Sequence, residues 1–157
     1  MVHPLVGIHA AIGELGVLAF LWVLVELLNP TEPRIKRAKI AAALGTLFFL
    51  MSWVTGGYYY VAYYGPNVKP IIKSGPAPWA HGVAMEVKEH VFLFLPFLSF
   101  LTTGLVYRYK NNLIKDTGAR KSVLLLCALI VIIGLSIAGM GFVISTGARA
   151  ALEGKIV

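Results

Sequence analysis

Apolar residues along this chain fall into four long segments, at about residues 5–28, 38–63, 80–107 and 122–146. Each segment is longer than the stretch of about 20 residues that an α-helix needs to cross a bilayer. Proline and glycine punctuate the joins, as at Asn29-Pro30, Gly65-Pro66 and residues 74–78. The pattern predicts an all-α fold: a single transmembrane four-helix bundle spanning residues 1–157.

The composition agrees with a membrane protein. Hydrophobic residues make up 58% of the chain and charged residues 13%, whereas a soluble domain has about a quarter charged residues. Four spans with short joins leave little chain for a soluble catalytic domain. The single cysteine, Cys127, lies inside an apolar segment, so the chain has no internal disulfide and no thiolate metal cluster.

The positions of lysine and arginine predict the orientation of the bundle. Most of the 14 basic residues lie in the first and third joins, for example Arg34, Arg37, Arg108 and Lys110. The positive-inside rule puts these joins in the cytoplasm and both termini outside, in an inner (cytoplasmic) membrane. The net charge of +7 is then explained by topology, with anionic lipid as its neighbour and no nucleic-acid partner.

All four histidines fall on the predicted outer side, because the first and third helices both begin there: His3, His9, His81 and His90. Ionisable residues inside a membrane are costly, so each is a functional hypothesis by default. His9 and His90 lie at similar predicted depths on two different helices. We therefore expect these two side chains to face each other inside the bundle.

A pair of histidines on facing helices is typical of b-type haem ligation. Gly13 and Gly16 share the helix face of His9, and Gly141 belongs to a similar stripe of small residues on the fourth helix. Such stripes leave room for a flat cofactor. We expect haem b between the first and third helices near the outer face, with its iron bound by His9 and His90.

Other residues of the third helix complete this hypothesis. Phe94 shares the face of His90 and is expected to pack on the porphyrin edge, and Glu86, one turn before His90, is a candidate second-shell acceptor or proton site. His3 and His81 are less favoured ligands, because both lie nearer the water. A regular helix also places His81 and His90 on opposite faces.

The predicted function is electron transfer, with electrons passing between quinol and an outer-side redox protein or a larger membrane complex. Any enzymatic role would be as part of an oxidoreductase complex. Two alternatives stay open. Small residues at these spacings also serve close helix packing, which suits an anchoring or assembly subunit. Glu14 together with the histidines would suit a small proton or metal transporter.

Three features of the sequence form a wider pattern. They are the opening residues His3-Pro4-Leu5-Val6-Gly7-Ile8-His9, the Thr55-Gly56-Gly57 near the end of the second helix, and a histidine at the start of the third helix. This pattern resembles small four-helix bacterial membrane proteins with an N-terminal His-Pro motif. The layout is also similar to the b-type cytochrome subunits of respiratory membrane complexes. The resemblance implies a haem-binding four-helix fold over nearly the whole chain.

Overall fold

The computed structural model describes residues 3–154, and every element in that range is helical. Two segments are π-helical, Tyr60–Val68 and Ala80–Met85, which we call π1 and π2. The α-helices are α1 (Pro4–Leu28), α2 (Glu32–Tyr59), α3 (Lys69–Ser74), α4 (Glu86–Phe92), α5 (Phe94–Tyr109), α6 (Asn112–Lys115) and α7 (Thr117–Glu153).

These elements join into four helices that are long and apolar enough to cross a membrane: Pro4–Leu28, Glu32–Ser74, Ala80–Tyr109 and Thr117–Glu153. The predicted all-helical fold with four spans is confirmed. The second and fourth helices are longer than predicted, at 43 and 37 residues. The second begins six residues before the predicted span and continues through Gly65-Pro66 as π1, and the fourth begins at the Asp116 cap.

The four long helices form a bundle in which α1 packs beside α2 and α7, and the third helix packs beside the same two neighbours. The first and third helices are therefore diagonal to each other. His3 contacts Tyr59 and Tyr63, and Gly75 contacts Ala151. Both ends of the described chain thus lie at one end of the bundle, here called the terminal end; the other is the basic end.

The glycines of the bundle interior allow aromatic and aliphatic side chains to pack against the backbone. A Cβ atom at Gly16 would lie 2.8 Å from the Phe49 ring, and one at Gly45 would lie 2.7 Å from the Phe20 ring. The two rings stack with centroids 5.8 Å apart and are almost fully buried. Space next to Gly16 is therefore filled by protein, as expected for close packing of membrane helices.

A charged cluster joins α1 to α2 at the basic end. The buried Glu26 carboxylate accepts hydrogen bonds from Arg34 Nε at 2.9 Å, Arg37 Nε at 2.6 Å and Trp22 Nε1 at 2.9 Å. Glu26 thus forms ion pairs with two arginines of α2, Arg34 and Arg37. Because every oxygen of Glu26 is satisfied, this carboxylate holds the α1–α2 hairpin together.

The outward surface of the bundle is apolar. Large hydrophobic side chains are exposed on the long helices, among them Val61, Leu125 and Phe142, each more than 70% exposed. An exposed apolar surface that surrounds four long helices indicates a lipid bilayer as the surrounding medium.

Candidate functional site

The candidate site lies at the terminal end of the bundle, where the second and third helices both change from α to π geometry. Pro66 lies inside π1 and cannot donate a backbone hydrogen bond. The wider π turn keeps the second helix continuous through this proline. π-Helical turns occur frequently at functional sites, because they aim side chains that a regular helix would direct elsewhere.

Each π segment contributes one buried polar side chain to the site. Tyr64 of π1 is 1% exposed and His81 of π2 is 2% exposed. The Tyr64 hydroxyl lies 3.1 Å from His81 Nδ1, at hydrogen-bond distance. Ile72, Ala84 and Ile144 enclose the pair in an apolar cluster.

Glu86, at the start of α4, faces the other nitrogen of the His81 ring. Its Oε1 lies 3.6 Å from His81 Nε2, and the Glu86 side chain is 45% exposed. At this distance the two atoms are near neighbours, and a small closing motion would bring them within hydrogen-bond length. His81 thus connects a buried phenol to a carboxylate that reaches the protein surface.

A second carboxylate lies one turn farther along α4. Glu89 Oε1 is buried and has no hydrogen-bond partner in the described part of the chain. Tyr60 of π1, Glu86 and Lys69 are its charged or polar neighbours. An unsatisfied buried carboxylate oxygen is costly, so this position favours a bound proton, a water molecule or a ligand.

Lys69 and Lys73 of α3 lie near His81 and add positive charge next to the site. The charged or titratable groups around His81 are therefore Tyr64, Glu86 and these two lysines. The neighbouring part of α7 contributes apolar contacts, among them Ile144 and Ala148. This mixture of acid, base and phenol in one cluster is suited to proton exchange.

His9 lies at the contact of α1 with α2. Its Nδ1 is 2.9 Å from the Ser52 carbonyl oxygen and 3.0 Å from Ser52 Oγ. A carbonyl oxygen can only accept, so Nδ1 carries the proton and Nε2 keeps its lone pair. The His9 ring also fills the space beside Gly56 and makes an edge contact with Phe92.

His90 lies elsewhere. Its side chain is exposed on the surface of the bundle, and its Nδ1 donates to the Glu86 carbonyl oxygen at 2.6 Å. Phe94, predicted to pack on the cofactor, is 63% exposed on the same helix surface. The expectation that His90 and Phe94 face the bundle interior is wrong for the single chain, because His81 and Met85 occupy the inward face.

The predicted space for a cofactor is also occupied by protein. Gly13 faces Ser52 Oγ, Gly16 faces the Phe49 ring, and Gly141 faces Lys88 Nζ at 4.0 Å. With His9 inside and His90 outside, the residues of one chain do not fit a haem between the first and third helices. Both histidines nevertheless keep an Nε2 lone pair, the form that binds metals.

Two further predicted residues have definite places. His3 caps α1, where its Nδ1 accepts a hydrogen bond from the Leu5 backbone N–H at 3.2 Å. Glu14 is exposed on the outer face of α1, and no basic side chain within residues 3–154 lies at ion-pair distance from it. Glu14 therefore has no ion-pair partner in the described part of the chain.

Sequence reasoning missed the partnership of Tyr64 with His81 and the role of Glu89. A tyrosine at the end of a membrane span is typical of an aromatic belt at the interface, so Tyr64 gives no separate sequence signal. The sequence signal for this site was Pro66, which lies inside a helical segment and is separated from His81 by the second join. The contact between π1 and π2 itself depends on three-dimensional packing, which the sequence does not show. Within the described residues, no group of three or more His, Cys, Asp or Glu side chains could hold a metal ion.

Neither family models, nor curated sequences, nor solved structures show a significant match to this chain. Function must therefore be argued from the geometry of the residues themselves.

Proposed function

We propose that the chain is a membrane subunit that exchanges protons at the terminal end of its bundle. The observation that supports this proposal most strongly is a buried histidine, His81, held between the Tyr64 hydroxyl and the Glu86 carboxylate. Histidine is suited to the task because its ordinary pKa lies near neutrality. Glu86 is the contact with water, and Glu89 is a second carboxylate of the same helix, beside Glu86.

The hydrogen bonds suggest the order of proton movement. In the tautomer that allows exchange, His81 Nδ1–H donates to the Tyr64 oxygen, and Nε2 keeps its lone pair directed at Glu86, where it can accept a proton from the Glu86 carboxyl group. When Glu86 takes up a proton from water, closure of the 3.6 Å gap lets His81 and Glu86 share it. Tyr64 holds the ring in one tautomer throughout, as an orienting group does for a catalytic histidine.

The location supports a reaction that releases or consumes protons on one side of the membrane, such as quinol oxidation. By the predicted topology this side is the outer one. Toward the basic end the bundle interior is mainly apolar, with Phe20, Phe49 and Leu95 almost completely buried. An apolar interior favours local proton exchange over proton transport across the membrane.

Infrared difference spectroscopy of the protein in lipid vesicles, recorded across a pH step, tests this function. We expect carboxyl and imidazole bands that respond to pH, with the carboxyl response reduced by Glu86→Gln and the imidazole response reduced by His81→Gln. Glu153→Gln, at an exposed helix end, is the matched control. Unchanged difference spectra in both cluster variants would show that the cluster only stabilises packing.

Haem-linked electron transfer remains the second candidate, favoured by the free Nε2 atoms of His9 and His90. Since the two rings do not meet within one chain, a second ligand would come from another chain. The absorption spectrum of the purified protein, oxidised and then reduced, tests this candidate. Sharp reduced α and β bands that are lost in His9→Ala or His90→Ala would support it, and a colourless helical protein would exclude it.

A further inference from the structure

Two ionisable side chains lie on the outward surface of the long helices, where the remaining side chains are mostly apolar. Glu14 is exposed on α1, and His90 is exposed on α4. Because the first and third helices are diagonal in the bundle, these side chains lie on opposite sides of the molecule. An isolated carboxylate facing lipid near the middle of a span is strongly disfavoured, so Glu14 requires a partner.

Contacts with α7 show that the two residues lie at the same depth. Gly134 contacts Val17, and Gly147 contacts Ala80. The two glycines are 13 residues apart on α7, and Pro4 and Val17 are 13 residues apart on α1. Pro4 and Ala80 are therefore level. Glu14 lies ten residues farther along α1, about 15 Å deeper, and His90 lies ten residues beyond Ala80 at a similar depth.

The surfaces around the two residues differ in side-chain size at equal depth. Ala11 and Gly7 lie three and seven residues before Glu14 and are exposed, with open space beside Gly7. Val87 and Val83 precede His90 by the same numbers of residues and are 41% and 58% exposed. The larger side chains of one surface can therefore pack against the smaller ones of the other, as in close packing of membrane helices.

We propose that Glu14 of one copy of this chain hydrogen-bonds to His90 of a second copy. Copies inserted in the same orientation bring the two residues to the same level. His90 Nδ1 is already committed to the Glu86 carbonyl, so Nε2 is the atom that faces the neighbour. The contact needs one shared proton and has two forms. A protonated Glu14 carboxyl group can donate to His90 Nε2, or a protonated His90 ring can donate from Nε2 to the Glu14 carboxylate.

This contact joins two different surfaces, so it is heterologous and is repeated around a closed ring or along a row of copies.

The heterologous contact predicts a specific pattern of cross-links. In a Cys127→Ser background, the double variant Ala10→Cys with Val87→Cys should give a ladder of multimers on oxidation in the membrane, because these exposed positions lie within one residue of the same depth. Each single variant, Ala10→Cys or Val87→Cys, should give none, because equal positions do not meet.

A mixing experiment tests the polar contact itself. Glu14→Ala or His90→Ala alone should weaken self-association in lipid nanodiscs by about tenfold, the size expected for one interhelical hydrogen bond of the stronger kind. A mixture of the two variants should form heterodimers, since one intact Glu14–His90 pair remains in each. Glu153→Ala is the control and should not change association.

Several outcomes would overturn the proposal. Cross-linked dimers of a single-cysteine variant would indicate a two-fold contact instead. Chains that stay monomeric in every combination would show that lipid alone covers Glu14. Association with a different protein that depends on Glu14, without cross-linking between copies, would assign this surface to another partner.

Discussion

His3, His9, His81 and His90 share one end of the bundle but lie in four different environments: a helix cap, an interhelix hydrogen bond, a buried cluster and an exposed surface. The common end could be predicted, because it follows from helix direction alone. The inward face of the third helix could not. A membrane helix is apolar on every side, so periodicity does not distinguish the lipid-facing surface from the interior.

The Tyr64 hydroxyl is the residue-scale test of the cluster. Tyr64→Phe keeps the ring but leaves His81 Nδ1 buried without a partner. We expect a loss of about 1–3 kcal/mol in the free energy of unfolding, the usual cost of an unsatisfied buried group. Tyr58→Phe, on an exposed ring, should leave it unchanged. Equal unfolding free energies for both variants, measured by denaturant titration in detergent, would contradict the hydrogen bond.

Glycine positions offer a second residue-scale test. Gly16→Ala puts a methyl group against the buried Phe49 ring, and overpacking of this kind costs about 1–3 kcal/mol. Gly57→Ala has open space and should be neutral or stabilising. Melting temperatures of the two variants check the expectation. If Gly16→Ala melts like the parent protein, this face of α1 is not closely packed.

The sequence predicted where the four helices lie better than it predicted how long they are. The four apolar segments located the helices, but the second helix continues to Ser74 because a π segment accommodates Pro66. The fourth helix begins early because Asp116 caps it, accepting from the Ala119 backbone N–H at 2.9 Å. Both outcomes depend on local hydrogen bonding, which hydropathy does not record.

The hairpin of α1 and α2 is the element-scale test, through Glu26. Glu26→Gln keeps the shape of the side chain but weakens its bonds to Arg34 and Arg37. We expect a destabilisation of about 1–3 kcal/mol, as for other hydrogen bonds to charged groups. Glu32→Gln, on an exposed side chain of the first turn of α2, is the control. An identical unfolding free energy for the two variants would rule out a structural role for the cluster.

At the scale of the whole molecule, the structure puts both ends of the described chain at one end of an all-helical bundle. The sides of the membrane remain a prediction from the positions of lysine and arginine. Cysteine placed at Asn67 should react with an impermeant maleimide in intact cells, and cysteine at Asn111 should react only after permeabilisation. The reverse pattern would invert the topology and would assign proton exchange to the cytoplasmic side.

The central claim is that His81 takes up and releases a proton between Tyr64 and Glu86. Nitrogen-15 NMR of imidazole-labelled protein in bilayers, with the His81 signal assigned by His81→Gln, measures this directly. We predict a neutral His81 ring with hydrogen on Nδ1 at high pH, converting to imidazolium as the pH falls by protonation of Nε2, and an altered titration in Glu86→Gln. A His81 signal that stays neutral at every pH at which the protein is folded would contradict the claim.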